Sequence, residues 1–228
     1  MTYDSQKDTE SLFQMHFLPT GAGELSLSGV EIDVPADFAF NELDQVPDYC
    51  YLVKNGRIIC YDLTLNGNQR VFNIFEKGSL FLEECVLFDK PAHVMFRSLT
   101  SAKLLRISKC DLKRTLKDYD EMLNFCKYQS VKFLSNMEMI RVSTQKNTEW
   151  QVCKLLQIFM EHYGKPYDGK IMITERISQQ MVADILGVNR VTVTRIFRNL
   201  RGAFLEQING NYCIRSAELL QEYIKSLE

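Results

Sequence analysis

Two regions of the chain differ in how hydrophobic and polar residues alternate. Between about Val30 and Ile107, short runs alternate with period two, which is typical of β-strands that bury one face. Such runs include HVMFRSL and AKLLRIS, and ELSLSGVEIDV is expected to hold a first strand. Asn55-Gly56 and Asn66-Gly67 separate further runs, and Asn-Gly supplies the positive φ values of a tight hairpin turn. Many short strands at regular spacing predict a closed antiparallel β-roll.

From Cys110 onward the apolar residues recur at helical spacing. Ser108 is a candidate N-cap for a short helix, and residues 118–143 form a long segment without Gly or Pro. In this segment a four-three repeat predicts a coiled-coil seam, whose members are Met122, Cys126, Gln129, Phe133, Asn136 and Ile140. We expect a parallel dimer in which the polar members Gln129 and Asn136 fix the register. A helix packed on its own domain is the alternative.

The segment ISQQMVADILGVNRVTVTRIFRNL has the spacing of a helix-turn-helix. Ser178 is positioned to cap its first helix, and Gly187 suits a left-handed turn between the two helices. Another amphipathic helix, at residues 147–163, precedes the motif. After it, Asn209-Gly210 lies at the tip of a hairpin, which predicts a wing, and a last helix is expected at residues 217–226. The whole arrangement predicts a winged helix-turn-helix.

The second helix of this motif has two chemically different faces. At roughly 100° per residue, one face holds Val193, Ile196, Phe197 and Leu200. The other face holds Arg190, Arg195, Arg198 and Arg201, and the stretch from Gly187 to Phe204 contains no acidic residue. Positive charges on one face repel each other unless an anion neutralises them, whereas a solvated helix face normally mixes both signs. The pattern therefore predicts contact with double-stranded DNA.

In the predicted complex the second helix lies in the major groove. Arginine can bind guanine O6 and N7 with two hydrogen bonds, and Val191 or the methyl group of Thr194 can meet a thymine methyl group. Phosphate contacts are predicted for the remaining polar side chains of the motif, which are Gln179, Gln180, Arg198 and Arg201.

Composition limits the partners and the class of protein. The net charge is −2 over 228 residues, so an anion-binding surface must be local. No apolar run approaches the ~20 residues of a membrane span, and the polar start MTYDSQKDTESLF predicts that there is no signal peptide. Seven cysteines without a C-x-x-C pair predict reduced, mostly buried thiols in a cytoplasmic protein. An enzyme is disfavoured, because His93 is the only histidine of the strand region and metal catalysis needs a ligand cluster.

The order of parts, with a strand roll, a long helix and a winged helix-turn-helix, resembles the family of the cyclic-AMP receptor protein and the fumarate-nitrate reduction regulator. The resemblance covers nearly the whole chain and includes YLVKNGRIICY and NIFEKGSLFLEECVLF in the N-terminal half. It implies an α+β fold with an effector-sensing β-roll at 1–117, a dimerisation helix at 118–146 and a DNA-binding domain at 147–228. It also implies a homodimeric transcription regulator that recognises a near-palindromic site and that contacts RNA polymerase if it is an activator.

The resemblance assigns roles to single residues of the second helix. Arg195 matches an arginine that contacts guanine, and Arg190 matches a frequent basic contact at the helix start. Val191 replaces the glutamate of many members, so the DNA site is expected to differ from that of the cyclic-AMP receptor protein. The stretch from Val191 to Arg195 is more similar to the halorespiration regulators of the same family.

The sensor is expected to bind something other than cyclic AMP. Glu83 occupies roughly the ribose position of the cyclic-nucleotide members. The arginine and hydroxyl that hold phosphate in those members are replaced here by Pro91, Ala92, His93 and Val94, and Arg97 is interpreted as a strand residue. No cysteine precedes Cys50, which argues against an iron-sulfur cluster, and the three histidines give no support for haem. No cofactor is therefore expected.

A small organic effector between roll and long helix is the remaining expectation. Tyr128 and Lys132 lie one helical turn apart on the same face, and they are predicted to offer a hydroxyl and an ammonium to a carboxylate or phenolate. Two alternatives stay open: a cysteine redox switch that involves Cys126, and an effector-independent regulator with a vestigial roll.

Overall fold

The N-terminal half is built from seven strands, and the computed structural model describes residues 22, 25–63, 67, 69–145 and 147–227. The strands are β1 (Val30–Val34), β2 (Tyr49–Asn55), β3 (Ile58–Leu63), β4 (Gln69–Phe75), β5 (Leu80–Phe81), β6 (Met95–Ser98) and β7 (Ala102–Ser108). They form one sheet in the order β1-β7-β2-β5 and another in the order β4-β3-β6. One hydrophobic core joins both sheets, with the rings of Phe81 and Phe96 stacked 5.5 Å apart. The predicted antiparallel roll is thereby confirmed.

Of the two hairpins predicted from Asn-Gly turns, the structure confirms one and contradicts the other. β3 and β4 are neighbours in one sheet, as the turn at Gly67 predicts, although Asn66 lies outside the described residues. At Gly56 (φ 91°) the prediction of a hairpin is wrong, because β2 and β3 belong to different sheets. β2 pairs along its length with β7, and this long-range pairing decides the sheet to which it belongs. A local turn signal carries no information about such a pairing.

Three helices follow or interrupt the strands. The short α1 (Glu83–Phe88) begins after Leu82, whose φ of 65° is unusual for a branched residue. In α2 (Lys109–Thr115) the backbone N–H of Asp111 donates to the Ser108 hydroxyl, which confirms the predicted cap. The long helix α3 (Tyr119–Gln145) has 27 residues and confirms the uninterrupted helical segment.

The C-terminal part combines four helices with a four-stranded sheet. The helices are α4 (Thr148–Tyr163), α5 (Gln179–Leu186), α6 (Arg190–Ala203) and α7 (Ala217–Ser226), and the strands are β8 (Gly164–Tyr167), β9 (Lys170–Ile173), β10 (Leu205–Ile208) and β11 (Asn211–Ile214). The sheet order is β10-β11-β9-β8, so the predicted wing, β10 with β11, is part of a larger sheet. β8 was not predicted, although Asp168 and Gly169 both have positive φ and form the tight turn that joins it to β9.

The described residues fall into two units. One holds the residues up to Met137 apart from 69–70, and the other holds the rest. Within the described parts of the chain, no helix combines the length and the apolar character that a membrane span requires. Four of the seven cysteines are buried, as predicted, whereas Cys110 and Cys126 are exposed.

Candidate DNA interface and effector region

The helix-turn-helix turn is held by side chains at each helix end. Ser178 accepts a hydrogen bond from the Met181 N–H at 2.9 Å, which confirms it as the cap of α5. Gly187 ends α5 with a φ of 64°, as predicted, and its N–H donates to the Ala183 carbonyl. Asn189 then caps α6 by accepting from the Val191 N–H at 2.8 Å. These contacts end one helix and start the next within three residues.

The two faces of α6 are separated as the sequence predicts. Val193, Phe197 and Leu200 are fully buried, and Ile196 is nearly so. The ring of Phe197 meets that of Tyr212 in the wing at 5.0 Å, edge to face, which fixes the helix against β11. The other face is exposed and contains Arg190, Val191, Thr194, Arg195, Arg198 and Arg201. Val191 is 74% exposed, so a bare apolar side chain lies among arginines.

Neighbouring elements hold three of the predicted DNA-contacting side chains. The Thr194 hydroxyl lies 2.7 Å from Gln179 Oε1 and 3.0 Å from the Arg190 carbonyl, so it connects α6 to the start of α5. Gln180 instead donates to Asp184 along its own helix at 2.6 Å. Arg201 donates to Gln207 Oε1 of the wing at 2.7 Å. Gln207 was not singled out from the sequence, since only the fold brings β10 beside the end of α6.

The wing carries one carboxylate, and it is neutralised. Glu206 accepts from Lys170 Nζ at 2.5 Å and from Arg215 Nε at 2.8 Å. Hydrogen bonds from Lys170 and Arg215 lower the pKa of Glu206. The one acidic side chain of the wing is therefore ionised and paired with two cations.

The predicted effector residues meet in one polar network between α1 and α3. Glu83 is fully buried, and its Oε1 accepts from Lys132 Nζ at 2.7 Å and from Gln129 Nε2 at 2.8 Å. The Lys132 ammonium also pairs with Glu84. Tyr128 accepts from the Leu80 N–H at 2.9 Å and donates to the Leu80 carbonyl at 3.2 Å. The sequence places Tyr128 and Lys132 on one face but cannot show that this face packs on Glu83.

Burial and charge act in opposite directions in this network. Burial raises the pKa of Glu83 to about 7, although the Lys132 ammonium favours the ionised carboxylate. Burial alone disfavours the charged form of Lys132, but the Glu83 and Glu84 carboxylates raise its pKa above the ordinary value. Burial also raises the pKa of Tyr128, so its hydroxyl stays protonated. Lys132 is thus a cation whose charge is already compensated within the chain.

Two polar members of the predicted α3 seam make contacts within the protomer. Gln129 is bound to Glu83, and Asn136 Oδ1 accepts from Asn73 Nδ2 of β4 at 3.2 Å. Both polar side chains therefore have partners within the protomer, and their role in fixing a dimer register stays a prediction. A four-three repeat fits two adjacent rows on a helix, and spacing alone does not choose between them.

The stretch that replaces the phosphate-binding residues is a loop. Residues 91–94 lie in the loop that connects α1 to β6. Ala92 is buried, and exposed His93 has its Nδ1 3.7 Å from Asp44. Arg97 lies in β6, as predicted, where it pairs with Asp37 and its guanidinium lies 5.5 Å from the centre of the Tyr61 ring.

Comparison with known families gives two matches. The profile of the cyclic nucleotide-binding domain matches residues 35–119, and that of the Crp-like helix-turn-helix domain matches residues 151–223. Together they take in more than half of the chain, in the order that the fold shows. The chain belongs to the Crp/Fnr family of transcriptional regulators.

Individual relatives agree with this assignment. The HTH-type transcriptional regulator ArcR of Staphylococcus epidermidis is 24% identical over 157 residues, which is 67% of each chain. A CRP/FNR-family regulator from Thermus thermophilus has a TM-score of 0.72 at 17% identity over 87% of this chain and 100% of that one. CLP of Xanthomonas campestris, a c-di-GMP responsive regulator, has a TM-score of 0.72 at 15% identity over 87% and 99%. CprK complexed with OCPA has a TM-score of 0.65 at 15% identity over 94% of this chain and 97% of that one.

At these identities the solved structures show the fold, and the family gives the general function. The protein is a Crp/Fnr-type transcription regulator that binds DNA through its helix-turn-helix and carries an effector-binding domain. It is not an enzyme.

Proposed function

We propose that the protein acts as a homodimer whose two α6 helices recognise a near-palindromic DNA site in successive major grooves. The exposed arginine face of α6, without an acidic residue, is the observation that carries this proposal. Residues 1–117 then serve as sensor, 118–146 as dimerisation helix and 147–228 as DNA-binding domain. If the regulator is an activator, the bound dimer also contacts RNA polymerase.

Base recognition is assigned to the N-terminal half of α6. Arg195 and Arg190 bind guanine edges, while exposed Val191 and the Thr194 methyl group meet thymine methyl groups. Arg198, Arg201, Gln179 and Gln180 hold phosphate, and their contacts to Gln207, Thr194 and Asp184 limit the freedom of three of them. The stretch from Val191 to Arg195 supports a site of the kind that the halorespiration regulators recognise.

Dimerisation is assigned to the exposed face of α3. Its large apolar side chains are 41–63% exposed and comprise Leu123, Phe133, Leu134, Met137 and Ile140. A three-four row, namely Leu123, Cys126, Ser130, Phe133, Met137 and Ile140, follows this face and replaces the seam that the sequence predicts. An apolar row of this length on a helix surface is typical of a protein interface, and a second copy of α3 presents the same row.

Effector control is assigned to the network of Glu83, Tyr128 and Lys132. These contacts connect α1 and the strand Leu80–Phe81 to α3, so a small organic molecule that competes for them changes how α3 packs. Such a ligand shifts the population between conformations that differ in DNA affinity. Cyclic AMP is disfavoured, because the loop at 91–94 contains no arginine or lysine and Arg97 is paired with Asp37.

The first test is selection of bound sequences from a random double-stranded DNA library. We expect inverted repeats whose half-sites are centred ~34 Å, or about 10 base pairs, apart. Enrichment of single or direct half-sites would contradict the dimer geometry. Absence of any enriched sequence would contradict base recognition by α6.

A thiol switch is the second candidate, because Cys126 is exposed within the apolar row of α3. Oxidation with diamide, followed by dithiothreitol, should then lower and restore DNA affinity, and Cys126→Ser should abolish the response. A DNA affinity that changes neither with oxidant nor with small molecules would favour an effector-independent regulator.

A further inference from the structure

The side of α3 that faces the roll is unexpectedly polar. Tyr128, Lys132 and Ser135 are at least nine-tenths buried, and Gln129 and Asn136 beside them are half-buried. A helix normally buries an apolar stripe against its own domain. Here the buried stripe presents hydrogen-bonding groups to Leu80, Glu83 and Asn73.

Two acceptor atoms of this interface are not satisfied by protein groups. Glu83 Oε1 accepts two hydrogen bonds, but Glu83 Oε2 is buried and has no partner among the described residues. Asn73 Oδ1 is also buried without a partner among the described residues, while Asn73 Nδ2 donates to Asn136. An unsatisfied buried oxygen of this kind is unfavourable, and buried polar groups normally have partners. Carboxylate and amide oxygens accept hydrogen bonds, so both sites call for donors.

The two acceptors are aligned along one side of α3. Glu83 is bound to Lys132, and Asn73 is bound to Asn136, four residues further along the helix. Four residues correspond to a rise of about 6 Å. The two helix residues that bind these side chains are thus about one turn apart, and the two donor groups of the proposed ligand are given a comparable separation.

The charges of the network exclude one class of ligand. Lys132 lies within hydrogen-bonding distance of both Glu83 and Glu84, so two carboxylates surround one ammonium. An incoming carboxylate or phosphate would have to displace one of these acids from Lys132. It would also face the carboxyl groups of Glu83 and Glu84, and like charges at low local dielectric repel each other strongly.

From these observations we infer that the effector is a neutral or cationic molecule with two hydrogen-bond donors, hydroxyl or ammonium groups, that bind Glu83 Oε2 and Asn73 Oδ1. This inference rests on the proposed effector control through α3. It replaces the carboxylate or phenolate that an isolated Tyr128 and Lys132 would favour.

The test uses four-carbon probes of matched length on the full chain: 1,4-diaminobutane, 1,4-butanediol and succinate, at constant ionic strength. Thermal unfolding is measured for each. A donor probe at a hundredfold excess over its Kd should raise the unfolding midpoint by about 5–10 °C, and succinate should leave it unchanged. A rise with succinate, or no rise with either donor probe, overturns the inference.

Two matched variants separate binding from nonspecific stabilisation. Asn73→Leu and Asn136→Leu break the same hydrogen bond, but only Asn73→Leu removes the acceptor oxygen. The donor-probe shift should be lost in Asn73→Leu and kept in Asn136→Leu. Equal responses of the two variants overturn the inference. DNA affinity of the variants, measured in parallel, keeps the proposed function separate, since it can change with α3 packing even if no donor probe binds.

Discussion

Lys132 Nζ lies 2.7 Å from Glu83 Oε1, and this buried ion pair joins the long helix α3 to the short helix α1. The Glu83 side chain is entirely buried and that of Lys132 is 11% exposed, so neither charge is solvated in the absence of the other. The pair therefore couples the position of α3 to the sensor unit through charge as well as packing.

Removal of one partner should destabilise the protein strongly. Lys132→Met leaves Glu83 buried with two hydrogen-bond acceptors and no cation, and should lower the free energy of unfolding by ~3–5 kcal/mol. The double variant Lys132→Met/Glu83→Leu should recover most of this loss, because no charge is then buried unpaired. Urea unfolding followed by circular dichroism measures both values. Lys127→Met, at an exposed lysine of the same helix, is the control and should have little effect. A loss in the double variant as large as in the single one would show that the ion pair is not the cause.

The stability should depend on pH through Glu83. Burial raises the pKa of Glu83 from near 4.5 to about 7 in the folded state, beside Lys132, Glu84 and Gln129. The folded state therefore binds the proton more tightly than the unfolded state. The stabilisation that protonated Glu83 gives the folded state is therefore full below pH ~4.5 and is lost as the pH rises to about 7. The stability of the wild type relative to Glu83→Gln should fall from pH 5 to 7 and level off above. A difference that is constant, or that grows with pH, would contradict the raised pKa.

Two arginines of α6 should affect DNA binding in different ways. Arg195→Ala should cost ~1–3 kcal/mol of discrimination at one base position, because it removes a bidentate base contact. Arg198→Ala should weaken binding to all DNA sequences alike, since it removes a phosphate contact. It should also reduce the slope of log affinity against log salt concentration by about one unit. Fluorescence anisotropy with single-base variants of the selected site, at several salt concentrations, measures both effects. Unchanged base preference in Arg195→Ala would remove the base-contact assignment.

The contact between Thr194 and Gln179 separates two roles of one side chain. Thr194→Val keeps a methyl group but removes the hydroxyl that lies 2.7 Å from Gln179. We expect DNA affinity to fall by ~0.5–1.5 kcal/mol with the base preference retained. Thr194→Ser keeps the hydroxyl and should instead lose preference for thymine with little change in affinity elsewhere. The same anisotropy assay compares them, and identical behaviour of the two variants would contradict this division.

The proposed dimer interface can be tested at Phe133, which is 62% exposed on α3. Phe133→Glu places a like charge from each subunit in the apolar row and should convert the protein to a monomer at micromolar concentration. Light scattering after size-exclusion chromatography measures the mass. Lys127→Glu changes the charge of the same helix by more and should remain dimeric. A dimeric Phe133→Glu variant would place the interface elsewhere.

Sequence signals within a few residues predicted caps, turns and helix faces correctly. They did not predict which distant segments pair with each other. The cap at Ser178, the turn at Gly187 and the two faces of α6 follow from side-chain chemistry and a period of 3.6 residues. By contrast, the sheet to which β2 belongs is decided by its pairing with β7, about 50 residues away. The candidate site divides in the same way. The arginine face was predicted as a set, but the contact of Lys132 with Glu83 depends on how α1 docks on α3.

In the C-terminal sheet, β11 pairs with β9 on one side and with β10 on the other, while Phe197 of α6 packs on Tyr212 of β11. The wing therefore cannot fold over the DNA as an independent flap. Helix and wing approach the duplex as one preassembled body, and the conformational entropy of ordering them is lost when the chain folds and not when it binds. Substitutions that loosen β9 should accordingly weaken DNA binding through this entropy, even though β9 carries none of the side chains assigned to the DNA.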